Sequence, residues 1–348
     1  MSKAPREERK PGRGLGLKIL TGLIVLSIIS VVTVWGAYAG LGALMRMPGP
    51  AASDGGAQTV VLLEKGLGLS QIAAKLEAAG VLADARLFKL GVYRYQATRA
   101  LKAGEYAIPA HASMFAVMEI LREGKSLLHR LTVPEGLTTA QALRIVAADP
   151  VLAGELTVAP LEGALLPDTY LFTRGESRDA IVRRMMAAQD ALLDSLWDGR
   201  APKLPYKTRQ QALTLASIVE KETGVPSERP RVAAVFVNRL RKGMRLQSDP
   251  TIIYGLTGGE PLGRGIRLSE LQRQTPYNTY LIDGLPPTPI ANPGRDAIAA
   301  VLNPPTSNEL YFVADGTGGH VFAGTLAEHE RNVRRWREVE RDQKASGG

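Results

Sequence analysis

The sequence predicts an α+β protein with a single N-terminal transmembrane helix, a small α/β module and a larger mixed helix/strand domain. Three observations carry that prediction. Residues 19–45 hold no charged side chain, residues 46–57 are rich in Pro, Gly and Ala without a hydrophobic period, and beyond them short strand-like runs alternate with helix-period segments in no fixed repeat. A chain of 348 residues, 45% apolar and 22% charged, has room for two domains with real cores.

Residues 1–18 carry Lys3, Arg6, Arg9, Lys10, Arg13 and Lys18 against Glu7 and Glu8, which makes a basic tail. The apolar run 19–45 exceeds the roughly 20 residues that span a bilayer core, and Trp35 and Tyr38 near its far end suit the interface. Basic residues before the run and few after it place the N-terminus in the cytoplasm and the bulk of the chain outside. The alternative is a signal peptide cleaved after Ala37-Tyr38-Ala39. Against it, the run is longer than a signal core of roughly 7 to 15 residues.

In chain order, residues 46–57 form a linker and 58–110 a small module. The module reads as a strand (59–63), a helix (70–80) capped by Ser70 and stopped by Gly80, a helix over 84–95 and a strand over 104–109. Residues 111–160 form a connecting α/β subdomain: a helix after Ser113, a strand over 127–133 with a structural His129, a turn at Pro134-Glu135-Gly136, and a helix from Thr138. The domain proper covers 161–340, with a tail over 341–348. It opens on a stretch, 162–172, whose Gly and Pro predict a loop presenting Glu162, Asp168 and Tyr170. A helix over 177–197, a loop, a helix over 210–223 and a helix capped by Ser227 and ending at Lys242-Gly243 follow. A strand-like segment then delivers Gln247, Ser248 and Asp249 before Pro250, a Pro-rich stretch over 277–294 forms a long ordered loop, and a β-hairpin precedes a basic helix from Thr325.

Composition narrows the chemistry. With no Cys there is no disulfide framework, thiolate nucleophile or Cys-based zinc site, and four scattered His without H-E-x-x-H argue against a zinc hydrolase. No metal or organic cofactor is called for. The net charge of +9 is dispersed and comes with no nucleic-acid motif, so no nucleic-acid partner is expected. The D-G-T-G-G run at 315–319 lacks the G-K-[ST] ending of a phosphate loop, and no G-x-S-x-G supports a serine hydrolase.

The helix over 210–223, Q-Q-A-L-T-L-A-S-I-V-E-K-E-T, is the stretch around which a site is expected. At about 100° per residue Leu213, Leu215, Ala216, Ile218 and Val219 make an apolar arc, while Thr214, Ser217 and Lys221 make the polar one. Glu220 falls inside the apolar arc. A carboxyl there sits at a cleft rim or needs a buried partner, and burial raises its pKa toward what a general acid requires. Glu222 lies on the other shoulder of the same arc, so the wheel alone does not choose between them. Gln247, Ser248 and Asp249 are suited to bonding sugar hydroxyls, to holding a partner glutamate, or to plain turn chemistry. Tyr277, Asn278 and Tyr280 offer the stacking faces and amide that carbohydrate sites use; a purely structural loop accounts for them equally.

Five segments in order resemble the YceG-like endolytic murein transglycosylases: E-G-A-L-L-P-D-T-Y (162–170), L-A-S-I-V-E-K-E-T (215–223), F-V-N-R-L-R-K-G-M-R-L-Q-S-D-P-T-I-I-Y-G (236–255), Y-N-T-Y-L-I-D-G-L-P-P-T-P-I-A-N-P-G (277–294) and L-Y-F-V-A-D-G-T-G-G-H-V-F (310–322). The resemblance implies a bacterial inner-membrane enzyme that cuts the MurNAc to GlcNAc β-1,4 bond of nascent glycan strands, leaves 1,6-anhydro ends and terminates elongation beside peptidoglycan synthases. It implies that Glu220 is the acid and base, with Glu222 and Asp249 tuning it. The module over 58–110, with I-A-A-K-L in its first helix and a closing G-x-Y-x-I-P, resembles the glycan-binding LysM module; a spacer without sugar affinity is the alternative. Rival functions are a membrane-tethered glycan-binding scaffold without catalysis and a muramidase that adds water. An uncleaved anchor predicts that N-terminal sequencing of the membrane fraction finds no mature chain starting near Gly40.

Overall fold

The computed structural model of the chain describes residues 13–52 and 55–346, so most of the predicted basic tail and the last residues of the predicted C-terminal tail lie outside the described residues. The elements are α+β, with three separate two-stranded antiparallel sheets. Two compact units divide the chain, Met1–Leu127 and Leu128–Gly348, and the division falls within the stretch read as a connecting subdomain.

The first unit begins with α1 (Arg13–Arg46), whose portion Leu17–Arg46 is long and apolar enough to cross a membrane, with a mean hydropathy of 2.4. It continues with β1 (Gln58–Leu63), α2 (Leu69–Ala78), α3 (Ala85–Arg94), β2 (Gly104–Pro109) and α4 (Met114–Glu123). Strands β1 and β2 pair with Val61 opposite Tyr106, and alternation turns Val61, Leu63, Tyr106 and Ile108 onto Leu76, Phe88, Val92 and Leu121. Asp84 caps α3 by accepting the N–H groups of Arg86 and Leu87 at 2.7 and 3.0 Å. Ser70 is not the cap of α2. The helix starts one residue before it, with Gly68 at the cap position and the Gln71 side chain accepting the Gly68 N–H at 2.9 Å. Gly80 does stop the helix: at φ 72° it lets its own N–H reach Glu77 O and the Val81 N–H reach Leu76 O, the paired bonds of a left-handed helix end.

The second unit holds two packed layers. In one, β3 (Leu128–Thr132) and α5 (Thr139–Ala148) pack with β4 (Thr169–Thr173) and α6 (Arg178–Trp197) around Leu131, Val146, Leu165, Phe172, Ile181 and Met185. The end of the stretch 162–172 is therefore a strand and not a loop. Its Gly163 and Pro167 lie upstream, and Tyr170 and Phe172 alternate with exposed Leu171 as a half-buried strand must. In the other layer, α7 (Arg209–Glu222), α8 (Arg229–Arg241) and α11 (Arg295–Leu302) enclose a core that includes Leu215, Ile218, Val219, Val232, Phe236, Ile298 and Val301.

Between α8 and α11 the chain forms α9 (Asp249–Thr257), the short α10 (Leu268–Leu271) and the Pro-rich loop; β5 (Tyr311–Ala314), β6 (His320–Ala323) and α12 (Leu326–Ser346) complete the chain. Asp249 thus opens a helix and does not leave a strand, because Pro250 in its first turn has the backbone angle a helix start needs. Ser227 does not cap α8: it sits in a single 3-10 turn, Pro226–Glu228, and the helix begins at Arg229. Thr214 and Ser217 do not make a solvent face, since every residue of α7 from Ala212 to Glu220 is buried. Ser217 Oγ donates to Thr214 O at 2.7 Å and accepts the Ile290 N–H at 2.9 Å, which is how a hydroxyl survives there. Because α11 closes this core, replacing fully buried Ile298 by Ala is expected to cost about 2 to 5 kcal/mol in urea unfolding, and a loss below about 1 kcal/mol would contradict that packing.

Candidate active site

Glu220 lies in the last turn of α7, and three separated segments converge on its carboxyl. Arg229, the first residue of α8, is turned back by the 3-10 turn so that its Nη2 donates to Glu220 Oε1 at 2.9 Å. Gly294, at the cap position of α11, donates its backbone N–H to Glu220 Oε2 at 3.0 Å. That N–H is one of the donors a helix start leaves free. Glu135, in the turn between β3 and α5, accepts from the same Nη2 of Arg229 at 3.0 Å, and Asp296 accepts from Nη1 at 3.5 Å. The turn is tied in by Gly136, whose N–H donates to Asn292 O at 3.0 Å and whose carbonyl accepts Lys221 Nζ at 3.1 Å. A Cβ at 294 would meet the Glu135 carboxyl, so a side chain there would push Glu135 away from Arg229.

One guanidinium therefore serves three carboxylates. Glu220 and Arg229 side chains are 4% and 9% exposed, so the pair sits out of bulk water, whereas Glu135 is 41% exposed. Burial pushes the Glu220 carboxyl above its ordinary value, the nearby charge of Glu135 adds to this, and the Gly294 N–H and Arg229 oppose it without cancelling it. Burial favours the protonated form of this carboxyl, and two donors meet it once it ionises, so each of the two states a general acid and base passes through has support.

Glu222, two residues on, faces other partners. Ser248 Oγ donates a short hydrogen bond to its Oε1, and Tyr280 donates to Asp249 Oδ1 at 2.7 Å beside it. Burial pushes the Glu222 carboxyl up to about 7, Asp249 adds to the rise, and Ser248, His320 and Arg239 work against it. Arg239 is itself buried and fixed by the carbonyls of Leu310 and Leu246 at 2.7 and 2.8 Å. Glu222 and Asp249, expected beside Glu220, thus gather with Ser248 and Tyr280 in a neighbouring cluster.

The remaining predicted residues divide between support and surface. Glu162 accepts the Thr139 N–H at 2.7 Å in the first turn of α5 and the Tyr254 hydroxyl at 3.1 Å, joining two helices. Tyr170 is buried in the β3–β4 layer with its hydroxyl on Leu166 O, and Asp168 is exposed next to it. Gln247 is exposed, at φ 52°, and its Oε1 accepts from Arg239 at 3.3 Å. Asn278 is buried, and its amide is committed to Leu271 O, Arg273 O and the Tyr280 N–H, so it shapes the Pro-rich loop. Tyr277 bonds Thr288 at 2.8 Å and sets its ring edge-on to Tyr254. Two surface concavities, of about 440 and 450 Å³, flank the first half of α7 at Gln210 and not the Glu220 end. Glu135, Arg229, Gly294 and Asp296 were not legible as site residues. The one available signal was physical: a glutamate inside an apolar arc demands a buried cation.

The raised Glu222 carboxyl has a stability consequence of definite sign. Between its ordinary 4.5 and about 7 the folded chain holds a proton that the unfolded chain lacks, so the group's contribution falls as pH rises through that window and is flat above it. Glu222→Gln removes the slope and is expected to gain about 1 to 3 kcal/mol relative to the parent between the two ends of the window. Urea unfolding at both ends measures this, and an unchanged difference would contradict the burial of the carboxyl.

Residues 61–335 match the model of the YceG-like family. A Streptococcus pneumoniae protein named endolytic murein transglycosylase is 30% identical over 363 aligned residues, covering 90% of this chain and 64% of that protein, so the chain spans less than two thirds of that relative. A Bacillus subtilis protein of the same name is 28% identical, over 81% of this chain and 86% of its own length. The crystal structure of a yceG-like protein from Listeria monocytogenes is similar at a TM-score of 0.51 and 33% identity, covering 79% of this chain and 98% of that one. With the family match running over most of its length, the chain belongs to the YceG-like family.

Proposed function

We propose that this protein is a membrane-anchored endolytic transglycosylase of peptidoglycan, with Glu220 as its acid and base. The observation that carries the reading is the Glu220 carboxyl, buried, raised in pKa, and held between Arg229 and the Gly294 N–H. The relatives named endolytic murein transglycosylase support the substrate class.

In the proposed reaction Glu220 first gives its proton to the oxygen that leaves when the MurNAc to GlcNAc bond breaks. The carboxylate so formed is stabilised by its two donors, and each of its oxygens keeps a second lone pair for the next step. It then takes the proton from the MurNAc 6-hydroxyl as that oxygen closes on C1, which leaves a 1,6-anhydro end and restores the acid. An internal hydroxyl has a high effective concentration, so neither water nor an enzyme nucleophile is consumed. Exposed Gln247 and the partly buried Tyr277 and Tyr280 are the proposed sugar contacts. Glu162, Glu222, Ser248 and Asn278 hold the elements that carry them.

The proposal extends to the setting. α1 anchors the chain in the bacterial inner membrane as a single pass, N-terminus in the cytoplasm, with the site in the periplasm among glycan strands and their synthases, where cutting ends strand elongation. The β1–α2–α3–β2 unit is proposed as a LysM-like glycan-binding module, consistent with its strand, helix, helix, strand order.

Mass spectrometry of peptidoglycan digested with residues 46–348 tests the reaction. Anhydro-MurNAc ends are expected from the parent, and Glu220→Gln is expected to slow their release by about 100-fold or more while circular dichroism stays unchanged. Reducing ends instead would make the protein a muramidase. Intact glycan binding without any product would make it a scaffold.

A further inference from the structure

The anchor helix does not stop at the membrane boundary. The residues of α1 are exposed from Lys18 through Gly40, then Leu41 is half-buried and Gly42 and Met45 are buried. Counting about 20 residues of 1.5 Å rise from Ile19 brings the end of a bilayer's hydrocarbon core to Tyr38. At that level the last turn of α3 packs on α1. The Arg94 guanidinium lies 3.8 Å from the centre of the Tyr38 ring. It also lies flat on Gly42, where a Cβ would come within 2.8 Å of it, and Met45 fills the place a side chain at Gly91 would take.

Two features of that turn are left incompletely matched among the described residues. Arg94 Nε and Nη1 are shielded from water without a hydrogen-bond partner, and no carboxylate among the described residues forms an ion pair with Arg94. Next to it Tyr93 and Leu90 stand 62% and 54% exposed. With Arg86 and Lys89 they share one arc of about 140° on α3. Tyr and Leu flanked by cations, at the level where a helix leaves the hydrocarbon, have the chemistry of a headgroup layer: a ring and an aliphatic chain for the acyl boundary, guanidinium and ammonium for phosphate.

We propose that the last turn of α3, through Leu90, Tyr93 and Arg94, docks on the phospholipid headgroup layer at the outer end of α1. Lipid phosphates supply the counter-charge for Arg94, whose Nε and Nη1 stay shielded where the guanidinium packs against α1. The docking rests on the proposed anchoring by α1 and adds to it a second membrane contact, which fixes the tilt of the helix and holds the first unit against the bilayer.

The chain has no Cys, so a nitroxide on one introduced Cys reports one site. The full chain is placed in vesicles of phosphatidylethanolamine and phosphatidylglycerol, labelled in turn at Tyr93→Cys, Ile28→Cys and Val60→Cys. Collision with oxygen and with a water-soluble nickel chelate is then measured. All three positions are exposed, so the label leaves the core intact. Docking predicts that Ile28 reads the bilayer interior and that Tyr93 reads the phosphate level, with nickel accessibility several-fold below that at Val60. If Ile28 reads the interior while Tyr93 is as open to nickel as Val60, the docking is overturned and the anchor stands. If Ile28 is open to nickel, the anchor fails and the docking with it.

Discussion

The Glu220–Arg229 pair is the constraint around which the second unit is arranged. Nine successive residues of α7 are buried, so this helix has no wet face on which a carboxylate can sit at no cost. Burying one requires a cation and further donors, since an uncompensated charge in such a place is strongly destabilising. The chain meets the requirement locally. A turn of only a few residues brings Arg229 back over the end of α7, and the free N–H of a helix cap, Gly294, takes the other oxygen. Both solutions restrict sequence. The turn must be tight, and Glu135 can share the guanidinium in its present position only while 294 carries no side chain.

Two carboxyls two residues apart on one helix are thereby given different chemistry. Glu220 faces a guanidinium and an amide, donors that favour its ionised form against the burial that disfavours it. Glu222 has a hydroxyl as its direct donor and Asp249 beside it, with Arg239 and His320 acting on it only through their charge. Environment thus separates the titration of two identical side chains on one element, with the Glu222 carboxyl pushed up to about 7 and the Glu220 carboxyl raised against two direct donors.

Much of the fold was legible because it follows from local rules. The helix starts near Asp84, Thr138 and Ser177, the left-handed stop at Gly80 and the hairpin around Gly316 to Gly319 depend on a few neighbouring residues, and the structure has them. Two of the errors share one cause, which is reading a breaker as acting on its whole neighbourhood, while the caps expected at Ser70 and Ser227 were displaced by a residue or two. Pro167 and Gly163 do not prevent a strand two residues later, and Pro250 starts a helix where a turn was expected. Glu220 could be singled out because its anomaly is local to one helical wheel. Glu135, Arg229 and Gly294 could not, since nothing near each in sequence marks it as one end of a contact spanning up to 94 residues.

The turn that returns Arg229 is itself braced from outside, and the brace explains why the C-terminal hairpin belongs to the site's architecture. Glu228 accepts the His320 backbone N–H and bonds the His320 ring, both at 2.7 Å, and accepts the Thr223 hydroxyl at 3.2 Å. Thr223 is the cap that ends α7, and its hydroxyl also accepts the Val225 N–H at 3.0 Å. Burial alone would raise the Glu228 carboxyl, but these donors hold it below its ordinary range. Glu228 directly precedes Arg229, so β6 fixes the approach of the guanidinium to Glu220 through one peptide unit. A partly buried pair of this kind adds modest stability. Its larger effect is geometric, since a guanidinium moved by an ångström no longer holds Glu220 and Glu135 together.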